Sequence, residues 1–238
     1  MLLDGHWRPE LWPAVRRFKQ AGGVVVPGVH DLIALDHPET CDPLTAARFR
    51  AWLSRATQHA DAFVCVSQAT ADRLRKHVED QSPAPHDSTD PRCPPIVVAR
   101  PGVDPPDAVA HQATELRQSG EHGPPGRVLI VGTIEPRKGH TTLLDAMERM
   151  WSHGSRCALL VVGRPGWRCD GIVDRLEGRI ADGRPIRWRQ DADDAALHEA
   201  YASADVLVIP SLEEGFGLSA VEALVRGLPV IASDLPAL

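Results

Sequence analysis

The chain has 238 residues, a length that suits one large domain or two small ones. Apolar residues make up 43% and charged residues 24%, the profile of an ordinary soluble protein with a real core. A net charge of −6 argues against a general nucleic-acid binder.

The opening "MLLDGHWRPELW" has neither the basic start nor the long apolar core of a secretory leader, and it runs almost directly into a helix. Short β-branched runs then read as strands at 23–30, 62–67, 95–102, 127–132, 157–163, 205–211 and 229–233, with a weaker candidate at 185–190. Most are apolar throughout rather than alternating, as expected of parallel strands covered on both faces. Helical patterns lie between them at 42–60, 67–78, 139–154, 193–204 and 217–227. In the first, Leu44, Ala47, Trp52 and Leu53 are expected on the buried side; the second opens on a good N-cap, Ser67. Alternating strands and helices predict an α/β doubly wound architecture.

Residues 79–95 are rich in Pro, Ser and Asp and read as an exposed loop. A second polar stretch, 104–126, reads as a boundary, giving domains at 1–104 and 127–238 joined by a linker at 105–126. Each domain is expected to have too few strands for a full doubly wound sheet of five or six. Five cysteines (Cys41, Cys65, Cys93, Cys157, Cys169) form no CxxC pair, so neither a zinc site nor a disulfide framework is indicated and a reducing cytoplasm fits best. No apolar run approaches the roughly 20 residues of a membrane helix.

Two motifs carry chemistry. In "VGTIEPRKGHTTLL" a strand ends at Gly132 and a helix starts near Gly139. Ligands of open α/β sheets bind at the carboxyl ends of strands, so Arg137 and Lys138 could clamp a diphosphate, one as a fork and one as a compact charge. The alternative is a solvent-facing basic pair, although cations there oppose the helix dipole. In "PSLEEGFGLSAVEALVRG", Gly215 and Gly217 allow close backbone approach and offer N–H groups to an anion. Glu214 lies in the loop and Glu222 inside the helix that follows. A half-buried Glu222 needs donors, which a ribose diol, or a cap or salt bridge within the fold, could supply.

Together, "GTIEPRKG" and "PSLEEGFGLSAVEALVRGLPVIAS" resemble the donor half of glycosyltransferase family 4, a family of GT-B fold, with Glu214 and Glu222 in register with its E-x7-E motif. "VHDLIALDHPE" (29–39), "ADAFVCVSQATADRL" (60–74) and "ARPGVD" (99–104) resemble its acceptor half in the same order, closest to bacterial mannosyltransferases of surface-polysaccharide and O-antigen assembly. The resemblance implies two Rossmann-like domains, both incomplete because relatives extend further at each end. It implies that Arg137 and Lys138 bind the donor diphosphate, with Gly132 and Thr133 beside them. Glu214 would touch the transferred sugar, and Glu222 would hold the ribose. The Gly215, Phe216, Gly217 and Leu218 backbone would approach the phosphates. His30, a residue type that after a strand is more often structural, would stand near the reaction centre; Asp31 would orient its loop. Thr133 replaces an arginine that many relatives carry, and Glu213 a residue that is often aromatic.

The implied activity is metal-independent, retaining transfer of a hexose, mannose favoured, from a GDP-sugar or alternatively a UDP-sugar. The acceptor would be a glycan or lipid-linked hydroxyl, and no further cofactor is expected. Closure of the two domains would exclude water. The implied location is cytoplasmic, with room for peripheral attachment at the inner face of the membrane. The alternative is a truncated, non-catalytic remnant or a nucleotide-sugar-binding partner subunit. The Asp-x-Asp in "DADD" (191–194) reads as a helix cap rather than a metal site.

Overall fold

The computed structural model describes residues 2–3, 11–81, 94–103 and 126–238. The expected loop at 79–95 lies mostly outside the described residues, and so does the expected linker at 105–126 apart from Gly126. The chain divides into two compact units. One comprises residues 1–101 with 214–216 and 237; the other comprises 102–213, 217–236 and 238.

The first unit is a parallel four-stranded sheet in the order β1-β2-β3-β4, formed by Leu2–Leu3, Val26–Val29, Phe63–Cys65 and Ile96–Val98. Its helices are α1 (Leu11–Gln20), α2 (Ile33–Asp36), α3 (Pro43–His59) and α4 (Gln68–Asp80). Both long helices start where short polar side chains can satisfy orphan N–H groups. Asp42 accepts from the Thr45 amide at 3.0 Å, and Ser67 accepts from the Thr70 amide at 3.0 Å. The buried stripe of α3 is Ala46, Phe49, Trp52, Leu53 and Ala56. Leu44 is 56% exposed and Ala47 is also exposed, so the expected inner side was rotated at its N-terminal end. Phe49 packs against Trp52 and fixes the observed face, because the large aromatic area outweighs one leucine in the first turn.

The second unit is a parallel five-stranded sheet of β5 (Arg127–Val131), β6 (Ala158–Val162), β7 (Ile186–Arg189), β8 (Val206–Ile209) and β9 (Val230–Ala232), ordered β7-β6-β5-β8-β9. The weak candidate at 185–190 is thus a true edge strand, and with it this sheet reaches five strands where too few for a sheet of five or six were expected. Alternate residues of β5 feed opposite cores. Val128 and Ile130 join α5 (His140–Ser152) and α6 (Asp170–Ala181) through Leu143, Leu144, Met147 and Leu176. Leu129 joins α7 (Asp194–Ser203) and α8 (Leu218–Leu224) through Ala200, Tyr201 and Ala223. Coverage on both faces is why the inner strands β6, β5 and β8 are almost continuously apolar, whereas the edge strand β7 carries two arginines. Helix α6 went unrecognised in the sequence. Its "DGIVDRLEGRIA" holds two glycines and two aspartates, poor helix formers, and only Leu176 is buried.

Candidate functional site

The order of the second sheet sets the site. From β5 the chain moves outward to β6, and from β8 it moves outward the other way to β9, so the winding reverses between the adjacent strands β5 and β8. Loops leaving the carboxyl ends of two such strands part at this switch point and leave a crevice for ligand. The loop after β5 is 132–139, and the loop after β8 runs from Pro210 to the start of α8. These are the two motif segments singled out in the sequence, and the topology makes them neighbours.

Local contacts hold them. The Leu212 amide donates to the Arg137 carbonyl at 2.7 Å. Gly139 has φ +71°, and a Cβ there would overlap the Pro210 carbonyl. Gly132, at φ +136°, sits in a conformation that favours glycine. On its other side the loop is tied to the turn after β6. The Gly132 amide donates to the Val162 carbonyl at 2.9 Å and the Ile134 amide to the Arg164 carbonyl at 2.8 Å.

Arg137 and Lys138 lie in a 3-10 turn, Pro136–Lys138, before α5 rather than in its first turn. Arg137 is committed within the loop: its Nε donates to the Glu135 carboxylate at 2.9 Å and its Nη1 to the Glu213 carbonyl at 3.4 Å. Glu135, 8% exposed, was missed in the sequence and neutralises much of the charge expected for a ligand. Lys138 extends over Gly132, its Nζ 3.9 Å from where a Gly132 Cβ would lie. Thr133 is exposed at the mouth of the loop.

Beneath them, His140 opens α5 at 3% exposure. Among the described residues, neither ring nitrogen makes a hydrogen bond of full geometry. Burial, and then the nearby Lys138 charge, pull its pKa down to about 4, while the Glu135 backbone softens the shift.

Glu222 lies half-buried in α8. Its Oε2 accepts from the Tyr201 hydroxyl at 2.6 Å, and its carbonyl accepts from Arg226 Nη1 at 2.8 Å. The Arg226 guanidinium stands 5.1 Å from the centre of the Tyr201 ring. The internal partner weighed for Glu222 in the sequence is therefore a tyrosine, and a ribose would be left the second carboxylate oxygen. Gly217, at φ +81°, starts α8, which has seven residues rather than the eleven of 217–227. Leu218 follows it, exposed.

In the first unit His30 is exposed at the end of β2, and Glu214 is buried at 7%. Thr70 Oγ1 lies 3.2 Å from the His30 carbonyl and 3.3 Å from the Gly215 carbonyl, and Ser67 Oγ donates to it at 3.0 Å. A Cβ at Gly215 would overlap the His30 carbonyl, so this glycine is needed for packing as well as for any ligand. Phe216 groups with the same unit. The Asp31 carboxylate accepts from the Ile33 amide at 3.0 Å, which orients its own loop. In "DADD", Asp193 caps α7 by accepting from the Ala196 amide at 2.8 Å, and Asp191 pairs with Arg164 at 3.0 Å.

Two Rossmann-like parallel sheets are the composition of the GT-B glycosyltransferase fold. Solved structures agree at that level. HepE of Anabaena, in complex with UDP and glucose, matches with a TM-score of 0.68 at 19% identity, over 95% of this chain and 57% of its own. Sucrose-phosphate synthase of Thermosynechococcus elongatus matches with a TM-score of 0.65 at 26% identity, over 94% and 53%. The chain belongs to glycosyltransferase family 4: the family model described as "Family 4 Glycosyltransferase in conflict systems" matches residues 25–235. Among curated relatives, the serotype-specific mannosyltransferase WbdA of Escherichia coli is 31% identical in an alignment 245 positions long that covers 98% of this chain and 29% of WbdA. Phosphatidyl-myo-inositol mannosyltransferase of Mycobacterium tuberculosis is 38% identical in an alignment 113 positions long that covers 46% of this chain and 28% of that enzyme. The chain thus spans about three-tenths of the length of the WbdA relatives it matches.

Proposed function

We propose that the chain is a retaining, metal-independent glycosyltransferase that moves a hexose, mannose favoured, from a nucleotide sugar to a hydroxyl of a glycan or lipid-linked saccharide. The observation that carries this reading is the emergence of the 132–139 and 210–217 loops from neighbouring strands at the switch point. The mannosyltransferase relatives support mannose, and a GDP-sugar is the preferred donor with a UDP-sugar as the alternative. Peripheral placement at the inner face of the membrane fits a lipid-linked acceptor; no described helix is long and apolar enough to cross a membrane.

In the proposed reaction the bond from sugar C1 to the diphosphate oxygen breaks and its electron pair leaves with the nucleoside diphosphate. The acceptor oxygen bonds to C1, and its proton passes to the departing diphosphate. Negative charge on the leaving group is the main barrier, and preorganised cations lower it. Lys138, over Gly132, is the principal candidate. Arg137 would contribute after sharing its guanidinium with Glu135. Glu214 contacts the sugar hydroxyls, Glu222 the ribose, and His30 the transferring sugar.

A second reading, binding of a nucleotide sugar without turnover, draws on the same Arg137–Glu135 pair, since a neutralised arginine stabilises a leaving group less. A donor panel of GDP- and UDP-sugars with product analysis separates the two. Lys138→Ala is expected to lower turnover by about 10²–10³-fold, and Glu214→Ala to abolish it, each with an unchanged circular dichroism spectrum. Wild-type activity in the double variant would refute the transferase reading. Saturable donor binding with no product from the wild-type chain would favour the second.

A further inference from the structure

The second unit also contains a cavity of about 380 Å3 away from the switch-point loops, toward the starts of β5 and β6 and along the edge strand β7. Arg127, Arg156, Arg187 and Arg189 line it, with Glu199 on the α7 side. Sheet register explains their convergence. Arg127 pairs with Ala158, Leu160 with Arg187, and Val162 with Arg189, so these side chains leave one face of the sheet. Where β6 places leucine and valine on that face, β7 places two arginines. Ala158 and Leu160 form an apolar floor among the guanidinium groups.

Charged residues on an edge strand guard against unwanted pairing with another strand. That explains Arg187 and Arg189 taken alone. It does not explain why Arg127 from the central strand and Arg156 from the preceding turn face the same cavity with one carboxylate among them. The charges are also unevenly matched. Arg189 donates to Glu199 at 2.7 Å. The Arg127 guanidinium donates to the neutral Ser203 carbonyl at 3.3 Å, while its backbone amide donates to the Asp205 carboxylate at 2.6 Å. Neither Arg156 nor Arg187 has a hydrogen-bond or ion-pair partner among the described residues, although Arg187 is close enough to Glu199 to add to the Arg189 hydrogen bond in lowering its pKa. In a chain of net charge −6 this is a local excess of positive charge. Like charges gathered around a concavity repel, and an anion relieves that repulsion. Guanidinium forks match the oxygens of a phosphoryl group, and the volume falls within the range of small-ligand pockets.

We propose that this cavity is a second anion site, taking a small molecule with a phosphate or diphosphate group. The phosphoryl oxygens lie against Arg156, Arg187 and Arg127, and the carbon portion lies over Ala158 and Leu160. The proposal does not rest on the transferase reading, because no switch-point residue takes part.

The test is a titration of the isotope-labelled chain with inorganic pyrophosphate, followed by backbone amide shifts. Saturable shifts are expected at residues 158–160 and 186–189. In Arg156→Gln with Arg187→Gln they are expected to weaken by about tenfold in apparent affinity. Both arginines lack partners, so the double variant is expected to fold; the single variant Arg156→Gln gives the same test with a smaller change. Absence of shifts at 158–160 and 186–189 in the wild-type chain, or equal affinity in the double variant, would overturn the proposal. Shifts at 132–139 and 211–218 report the switch-point loops separately, so failure of one site is not confused with failure of the other.

Discussion

At the scale of single residues, two buried side chains have measurable consequences. Tyr201 is fully buried, and its hydroxyl holds one oxygen of Glu222 at 2.6 Å. Burial first, and the Glu222 hydrogen bond second, raise its pKa well above the ordinary phenol range, so it stays a donor. Tyr201→Phe keeps the packing and removes the donor. We expect a loss of about 1–2 kcal/mol in urea unfolding and, in the transferase reading, a donor KM that rises by more than kcat falls. An unchanged KM would remove Tyr201 from a positioning role. His140 is the second case, with a pKa lowered from 6.5 to about 4. The folded site refuses a proton that the unfolded chain accepts. Stability is therefore full above pH 6.5 and declines as pH falls toward 4, by about 3 kcal/mol over the whole window. In His140→Leu this part of the slope is expected to vanish, as read from urea midpoints at pH 7.5 and 4.5. Neither role was legible in the sequence. Tyr201 and Glu222 are 21 positions apart, and nothing local marks His140 as buried rather than lining a ligand site.

At the scale of elements, most strands were legible because a doubly covered parallel strand is apolar at nearly every position; β7, with two arginines on a sheet edge, was only a weak candidate, and the two-residue β1 was too short to read. Helices were legible where an amphipathic stripe or a capping residue marked them, as with Ser67 and Asp193. Helix α6 shows the opposite case: weak propensity and one buried side chain leave little pattern, and packing supplied by the sheet decides its conformation. The switch-point loops were legible as motifs but not as a latch. Gly139 shows why, since its need for glycine comes both from its own φ of +71° and from the Pro210 carbonyl of a distant segment. Gly139→Ala is expected to cost about 1–2 kcal/mol from backbone conformation alone, with a further loss from overlap at Pro210. The check is a fall in thermal midpoint, together with a proteolytic cut appearing at 132–139 under native conditions. No change in midpoint would mean that the two loops are not coupled as described.

At the scale of the whole molecule, the alternation of strands and helices made the α/β doubly wound class legible, and the resemblance of five segments in order pointed to family 4. One prediction belongs here because it concerns the chemistry as a whole. If cationic side chains rather than a divalent ion stabilise the leaving diphosphate, sugar transfer is expected to proceed unchanged in excess EDTA; loss of activity with recovery on adding Mg2+ or Mn2+ would reject metal independence. What the sequence determined alone was set by local physics: apolar runs demanding cover, short polar residues capping helices, and glycines at backbone positions that disfavour a Cβ. What only the tertiary structure decided was who meets whom. It paired Arg137 with Glu135, Glu222 with Tyr201, and four arginines around one cavity, because strand order and register bring together residues whose separation along the chain carries no trace of their contact.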